Sequence, residues 1–181
     1  MPAIDAAGYP SMSAQPIAAI FYPPESDPTP VLAQFVRALQ ARGVSLAGAI
    51  QHDTGPRATC TMELELLPSG RRMPMSQYLG SGSTSCRLDP AAMAEAAITV
   101  QAAIADGAEL AVFNKFGSQE ALGDGLRDEM AATVMAGVPL ITAVGERFLD
   151  AWTEFTGGDY DRLNCSADAA LAWWDAFNTP D

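Results

Sequence analysis

Short apolar runs and helix-spaced apolar positions alternate along the chain. The run Ile17–Tyr22, IAAIFY, reads as a buried strand followed by a proline-rich turn, PPESDPTP. Across residues 31–42 the apolar positions Val31, Leu32, Phe35, Val36 and Leu39 have helical spacing, and Gly43 supplies a stop. Residues 44–50 predict a second strand. Residues 61–67 alternate Met62, Leu64 and Leu66 with Glu63 and Glu65, the period of a half-exposed antiparallel strand; Pro68-Ser69-Gly70 turns it back. Asp89-Pro90 is an N-cap with proline at the first helical position, opening a helix to about Ala105. Residues 110–113 predict a third strand, 122–136 a helix ended by Gly137, and 139–144 a further strand. Phe148, Leu149, Trp152 and Phe155 share one helical face before Gly157-Gly158, and residues 167–177 form a last helix with Trp173 and Trp174. This order predicts an α/β fold: a mainly parallel sheet with helices on both faces and an inserted antiparallel β-hairpin. Residues 1–16 read as a flexible lead-in and 17–181 as a single domain.

Composition narrows the function. A chain of 181 residues, 49% apolar, buries a real core without staples. It holds no apolar run of the ~20 residues that span a bilayer. The N-terminus lacks the basic and apolar regions of a signal peptide. The formal net charge of −12 argues against a nucleic acid or an anionic membrane surface as partner. Three cysteines in no metal-ligand spacing fit a reduced, cytoplasmic setting. The tail helix is free to pack on its own domain or on a second copy.

Chemistry concentrates where strands end. Lys115 is the only lysine and His52 the only histidine, and each closes or closely follows an apolar run. In open α/β sheets the carboxyl ends of parallel strands line the ligand crevice. The first βα turn, from Phe21 to Pro30, has no glycine and no lysine, so it cannot cradle phosphates as G-x-x-x-x-G-K-[ST] does. Its prolines remove amide donors, and Glu25 and Asp27 repel a triphosphate. The segment Leu79 to Arg87 is the best site by composition. Its glycines let amides converge on an anion, Ser81, Ser83, Thr84, Ser85 and Cys86 add neutral donors, and Arg87 adds charge. Asn114, Lys115 and Glu120 follow the third strand, with Lys115 free to meet an anion's charge or to pair with Glu120 or Asp124. Arg127 is expected to face the Asp124 to Asp128 cluster. No second histidine and no nucleophile elbow support a zinc site or a catalytic triad.

The strings ARGVSLAGAIQHDTG, GSTSCRLDPAAMAEA and FNKFGSQEALGDGLRDEMAATVMAGVPLITAVGERFLDAW resemble a bacterial family of uncharacterised function. Members of that family are typically encoded beside molybdate-transport and molybdenum-cofactor genes. The likeness covers about Ile17 to Phe155, and the NKFG-x-x-E and GLRDE strings carry most of it. The family in turn resembles small P-loop nucleoside-triphosphatases, whose third strand ends Asp-Glu-x-Gly-x-x-Glu. Here Asn114-Lys115 stands in place of the acidic pair. The resemblance implies a P-loop-like scaffold without its phosphate loop, holding a small oxyanion of which molybdate is the ligand it suggests. It implies a molybdenum transporter or cofactor-maturation protein as partner. The residues also leave open a divergent phosphohydrolase using Lys115, His52 and Glu120. A third reading is an interaction module displaying Trp152, Phe155, Trp173 and Trp174.

Overall fold

The computed structural model describes residues 16–54, 61–77 and 87–178. A seven-stranded sheet runs through the molecule in the order β4-β3-β2-β7-β8-β1-β9. Its members are β1 (Ile17–Tyr22), β2 (Leu46–Asp53), β3 (Met62–Leu67), β4 (Arg71–Pro74), β7 (Leu110–Phe116), β8 (Leu140–Gly145) and β9 (Asp161–Leu163). The pairs β2–β7, β7–β8, β8–β1 and β1–β9 are parallel. The β3–β4 hairpin adds to β2 in antiparallel fashion, as the alternation of Leu64 and Leu66 with Glu63 and Glu65 requires. A separate two-stranded ribbon joins β5 (Ser76–Gln77) to β6 (Arg87–Leu88). The predicted α/β fold is therefore present, hairpin included.

Two cores fill the faces of the sheet. Side chains alternate across each strand, so Ile20, Ile50 and Val112 face α1 (Thr29–Ala41) and α6 (Ala167–Asn178). Leu32, Phe35 and Leu39 of α1, and Trp173 and Trp174 of α6, close that side. Ala47, Ala49, Ala111 and Phe113 face the opposite core, with α2 (Pro90–Ala105), α4 (Arg127–Met135) and α5 (Leu149–Thr156) over it. Trp152, fully buried, anchors α5 edge-on to Phe116 at 5.1 Å between ring centres. The tryptophans that an interaction module would display are core residues.

Several boundaries move from their predicted places, each for a visible reason. Strand β2 continues through Asp53 because β3 pairs with it as far as His52 and Asp53, so His52 lies within the strand. Strand β7 runs to Phe116 and takes in Asn114 and Lys115. The helix expected over 122–136 begins only at Arg127, as α4; residues 122–126 form a turn that follows a short helix, α3 (Ser118–Ala121). Gly125, at φ +61°, makes that turn. A Cβ there would collide with the Glu120 carboxylate, so only glycine fits. Strand β9 was not legible, since Asp161 and Arg162 are exposed and only three residues pair. Asp89 caps α2 as expected, its Oδ1 accepting from the Ala91 amide at 2.9 Å.

Candidate functional site

Strands β1, β2, β7 and β8 all end at one edge of the sheet, and the loops beyond them enclose a cleft of about 300 Å³. The loop after β1 is folded by the Ser26 amide donating to the Pro23 carbonyl at 3.0 Å. Asp27 Oδ1 then accepts from the Thr29 amide at 2.9 Å where α1 begins. This is a rigid prolyl cover with no cradle of glycine amides. After β7 the chain is fixed by Glu120, whose Oε2 accepts from the Gly117 amide at 3.0 Å and whose Oε1 accepts from Leu126 at 3.1 Å. After β8 comes a 3-10 turn, Glu146–Phe148, which carries Arg147 to the cleft.

A register break in β7 presents Lys115. Pairing with β8 shifts between Phe113 and Phe116, and the Asn114–Lys115 peptide within this break is cis. Phe113 and Phe116 both face the α2 core, although uninterrupted alternation would put them on opposite faces. Asn114 faces α1 and is buried; its Nδ2 donates to Thr29 Oγ1 at 2.8 Å and to the Gln51 carbonyl at 3.2 Å. Lys115 lies between, half-buried, lining the cleft with Tyr22, Ser26, Ser118 and Arg147.

The electrostatics are uneven. Asp27, Asp53 and Glu146 also line the cleft. Among the described residues, however, neither Lys115 nor Arg147 has a carboxylate oxygen within 4.0 Å, and Arg147 instead lies over the Phe148 ring at 4.9 Å. Burial raises the Tyr22 phenol above its ordinary range, with Arg147 opposing that shift, so Tyr22 presents a neutral O–H. Two cations, a phenol and two serine hydroxyls thus share one polar recess.

The structure separates residues that the sequence order places at neighbouring strand ends. His52 Nε2 is bonded to Glu65 Oε2 at 2.7 Å and lines a second cleft, of about 400 Å³, against α1; Lys115 is not part of it. Glu120 is spent on the two amides and orients neither Asn114 nor Lys115 through a hydrogen bond. Its carboxyl is raised above the usual range, first by burial, with the two amides and Lys115 pulling it back. Arg127 does not turn to Asp124 or Asp128. It donates to the Glu120 carbonyl at 3.1 Å and lies over Phe155 at 5.1 Å. Ser81, Ser83, Thr84, Ser85 and Cys86 lie outside the described residues. Arg87 is placed by its backbone in β6, opposite Gln77. Leu88 of that ribbon and the adjoining Met75 line a third recess together with Lys115. Arg147 and Tyr22 were missed by sequence reasoning. The rule that singled out Lys115, a cation just past a buried strand, applies equally to Arg147 after β8.

A family model described as a protein of unknown function, DUF2478, matches residues 17–173. The chain belongs to that family. It is also similar to a molybdenum import ATP-binding protein, ModC 2, of Bradyrhizobium diazoefficiens, with 41% identity over 160 residues. That match takes in 87% of this chain but only 18% of the relative's length. Among solved structures, the human cancer-related nucleoside triphosphatase superposes with a TM-score of 0.63 at 14% identity, covering 93% of this chain and all of the other. This likeness establishes a P-loop nucleoside-triphosphatase type of fold and nothing about chemistry.

Proposed function

We propose that this DUF2478 protein holds a small oxyanion, of which molybdate is the physiological example, in the cleft between Lys115 and Arg147, serving molybdenum supply or its regulation. The observation that carries this reading is the pair of cations. In a chain of net charge −12, acids are abundant, yet these two face one recess without a carboxylate partner among the described residues. Charge-assisted bonds to an oxyanion are about twice as strong as neutral ones. The hydroxyls of Tyr22, Ser26 and Ser118 supply neutral donors beside them. The element, molybdenum, rests on the name of the ModC 2 relative.

Magnesium–nucleotide chemistry does not fit these residues. In P-loop enzymes a threonine hydroxyl and an acidic side chain at the strand end hold the metal. Here Asn114 directs an N–H donor at Thr29 Oγ1, and a donor hydrogen repels a cation. The phosphohydrolase reading draws no support from Glu120, whose carboxylate is bonded to two backbone amides rather than turned to the cleft.

The test is calorimetric titration and thermal denaturation with molybdate, tungstate and sulfate, using chloride at equal ionic strength as control. Molybdate raises the melting temperature, chloride does not, and Lys115→Ala and Arg147→Ala each abolish the rise. Flat titrations with all three oxyanions would remove the proposal.

A further inference from the structure

The cleft is too large for the anion alone. A tetrahedral oxyanion occupies roughly the space of three waters, at about 30 Å³ each, whereas the Lys115 cleft holds about 300 Å³. The second cleft holds about 400 Å³, and Asp27 and Asp53 line both. Volumes of this order are those of sites for small organic ligands.

The second cleft is built as well as large. One wall is apolar, from Ala33 and Val36 of α1 and Ile50 of β2. Beside Ile50 on the sheet stands the His52–Glu65 pair, held at 2.7 Å, with Arg72 3.8 Å from the same Glu65 oxygen. A carboxylate only accepts, so His52 Nε2 carries the shared proton and Nδ1 is the ring nitrogen left for a ligand. Arg37 and Gln40 stand on the rim as donors, and among the described residues neither makes an ion pair or hydrogen bond through its side chain. Asp27 and Asp53, between the two clefts, are acceptors that would repel a second anionic group. Dense alternation of donors and acceptors beside one apolar wall suits a polyhydroxylated body, whose hydroxyls both give and take hydrogen bonds.

Resting on the oxyanion reading above, we infer that the two clefts form one site, and that it takes an organic monoester as well as the free oxyanion. Its oxyanion lies at Lys115 and Arg147, and its hydroxylated body lies between α1 and the His52–Glu65 pair.

Calorimetric titration with inorganic phosphate, glycerol 3-phosphate and ribose 5-phosphate tests this on the whole chain. Ribose 5-phosphate is expected to bind at least about tenfold more tightly than inorganic phosphate, a difference of about 1.4 kcal/mol, with glycerol 3-phosphate between them. Arg37→Ala combined with Gln40→Ala, both exposed on α1, brings the ester down to the inorganic level and leaves inorganic phosphate unchanged. His52→Gln has the same effect. Equal affinities for the three probes, or an ester advantage untouched by these variants, overturns the inference while molybdate binding keeps the oxyanion reading. Failure of every oxyanion, molybdate included, overturns both.

Discussion

Glu120 and Glu129 are carboxylates placed where water hardly reaches, and both are raised above the ordinary glutamate range with burial as the leading cause. They differ in what holds them. Glu120 binds two amides and receives help from Lys115, whereas Glu129 gains nothing from a cation and is pushed further by Asp128. A carboxyl whose folded pKa exceeds its unfolded value favours folding only while it is protonated. Below the unfolded value both states are protonated and the folded protein is at its best. As pH rises toward the raised folded value, the unfolded chain ionises first and stability falls; above that value the loss is constant. Replacing Glu129 by Gln removes the ionisation without changing its size. Denaturant melts of Glu129→Gln should show higher stability than the wild type at pH 7 and a shallower decline from pH 4 upward. A variant that is less stable at pH 7 would mean that Glu129 has a favourable partner. Legibility at this scale was mixed. Lys115 announced itself by being the lone lysine past a strand, but nothing in the one-dimensional order said that His52 would turn to Glu65, thirteen residues on. Alternation told which face each strand residue occupies, and the β7 register break, which directs Lys115, has no signature in hydrophobicity.

Among elements, the segment from β7 to α4 positions the site's central cation, and it depends on a carboxylate bridging two turns. Glu120 ties Gly117, directly after β7, to Leu126, directly before α4. Gly125 provides both the positive φ and the space this bridge needs. The expected unbroken helix over 122–136 was a reasonable reading of the periodicity. It failed because Gly123 and Gly125 permit backbone conformations that apolar spacing does not report, and because Glu120 rewards the turn. Gly125→Ala combines a left-handed alanine, about 1–2 kcal/mol, with displacement of the buried carboxylate. The expected loss is about 2–4 kcal/mol in a denaturation series, taking the stranded amides into account. Molybdate binding should weaken with it, since Gly117 and Ser118 form part of the cleft. Gly48 plays a comparable part in the sheet: at φ +119°, any Cβ would strike the Val112 carbonyl of β7. By contrast the hairpin, α2 and its Asp89 cap were legible because each follows from local rules, the period of two and a side chain accepting from the first free amides.

At the scale of the whole molecule, an acidic protein that binds an anion sets long-range repulsion against local attraction. With 22 acidic and 10 basic residues, the field well outside the surface repels an approaching dianion, while at contact range Lys115 and Arg147 attract it within a cleft that Asp27, Asp53 and Glu146 also line. The two ranges respond differently to salt. The Debye length is about 30 Å at ~0.01 M and about 8 Å at ~0.15 M ionic strength, so added salt screens the distant acids before it screens contact with the two cations. Most charged ligands meet an oppositely charged protein, and their association slows as salt rises. Here association should accelerate over that interval. Stopped-flow measurement of molybdate binding, with salt varied using an anion that does not bind, gives the sign directly. Neutralising an exposed acid of α6 that makes no ion pair among the described residues, Asp168→Asn, should raise the rate slightly and make it less salt-dependent, whereas Lys115→Ala abolishes binding. A rate that falls steadily with salt would mean that the recess governs encounter as well as contact, and that the acidic surface has no part in how the anion arrives.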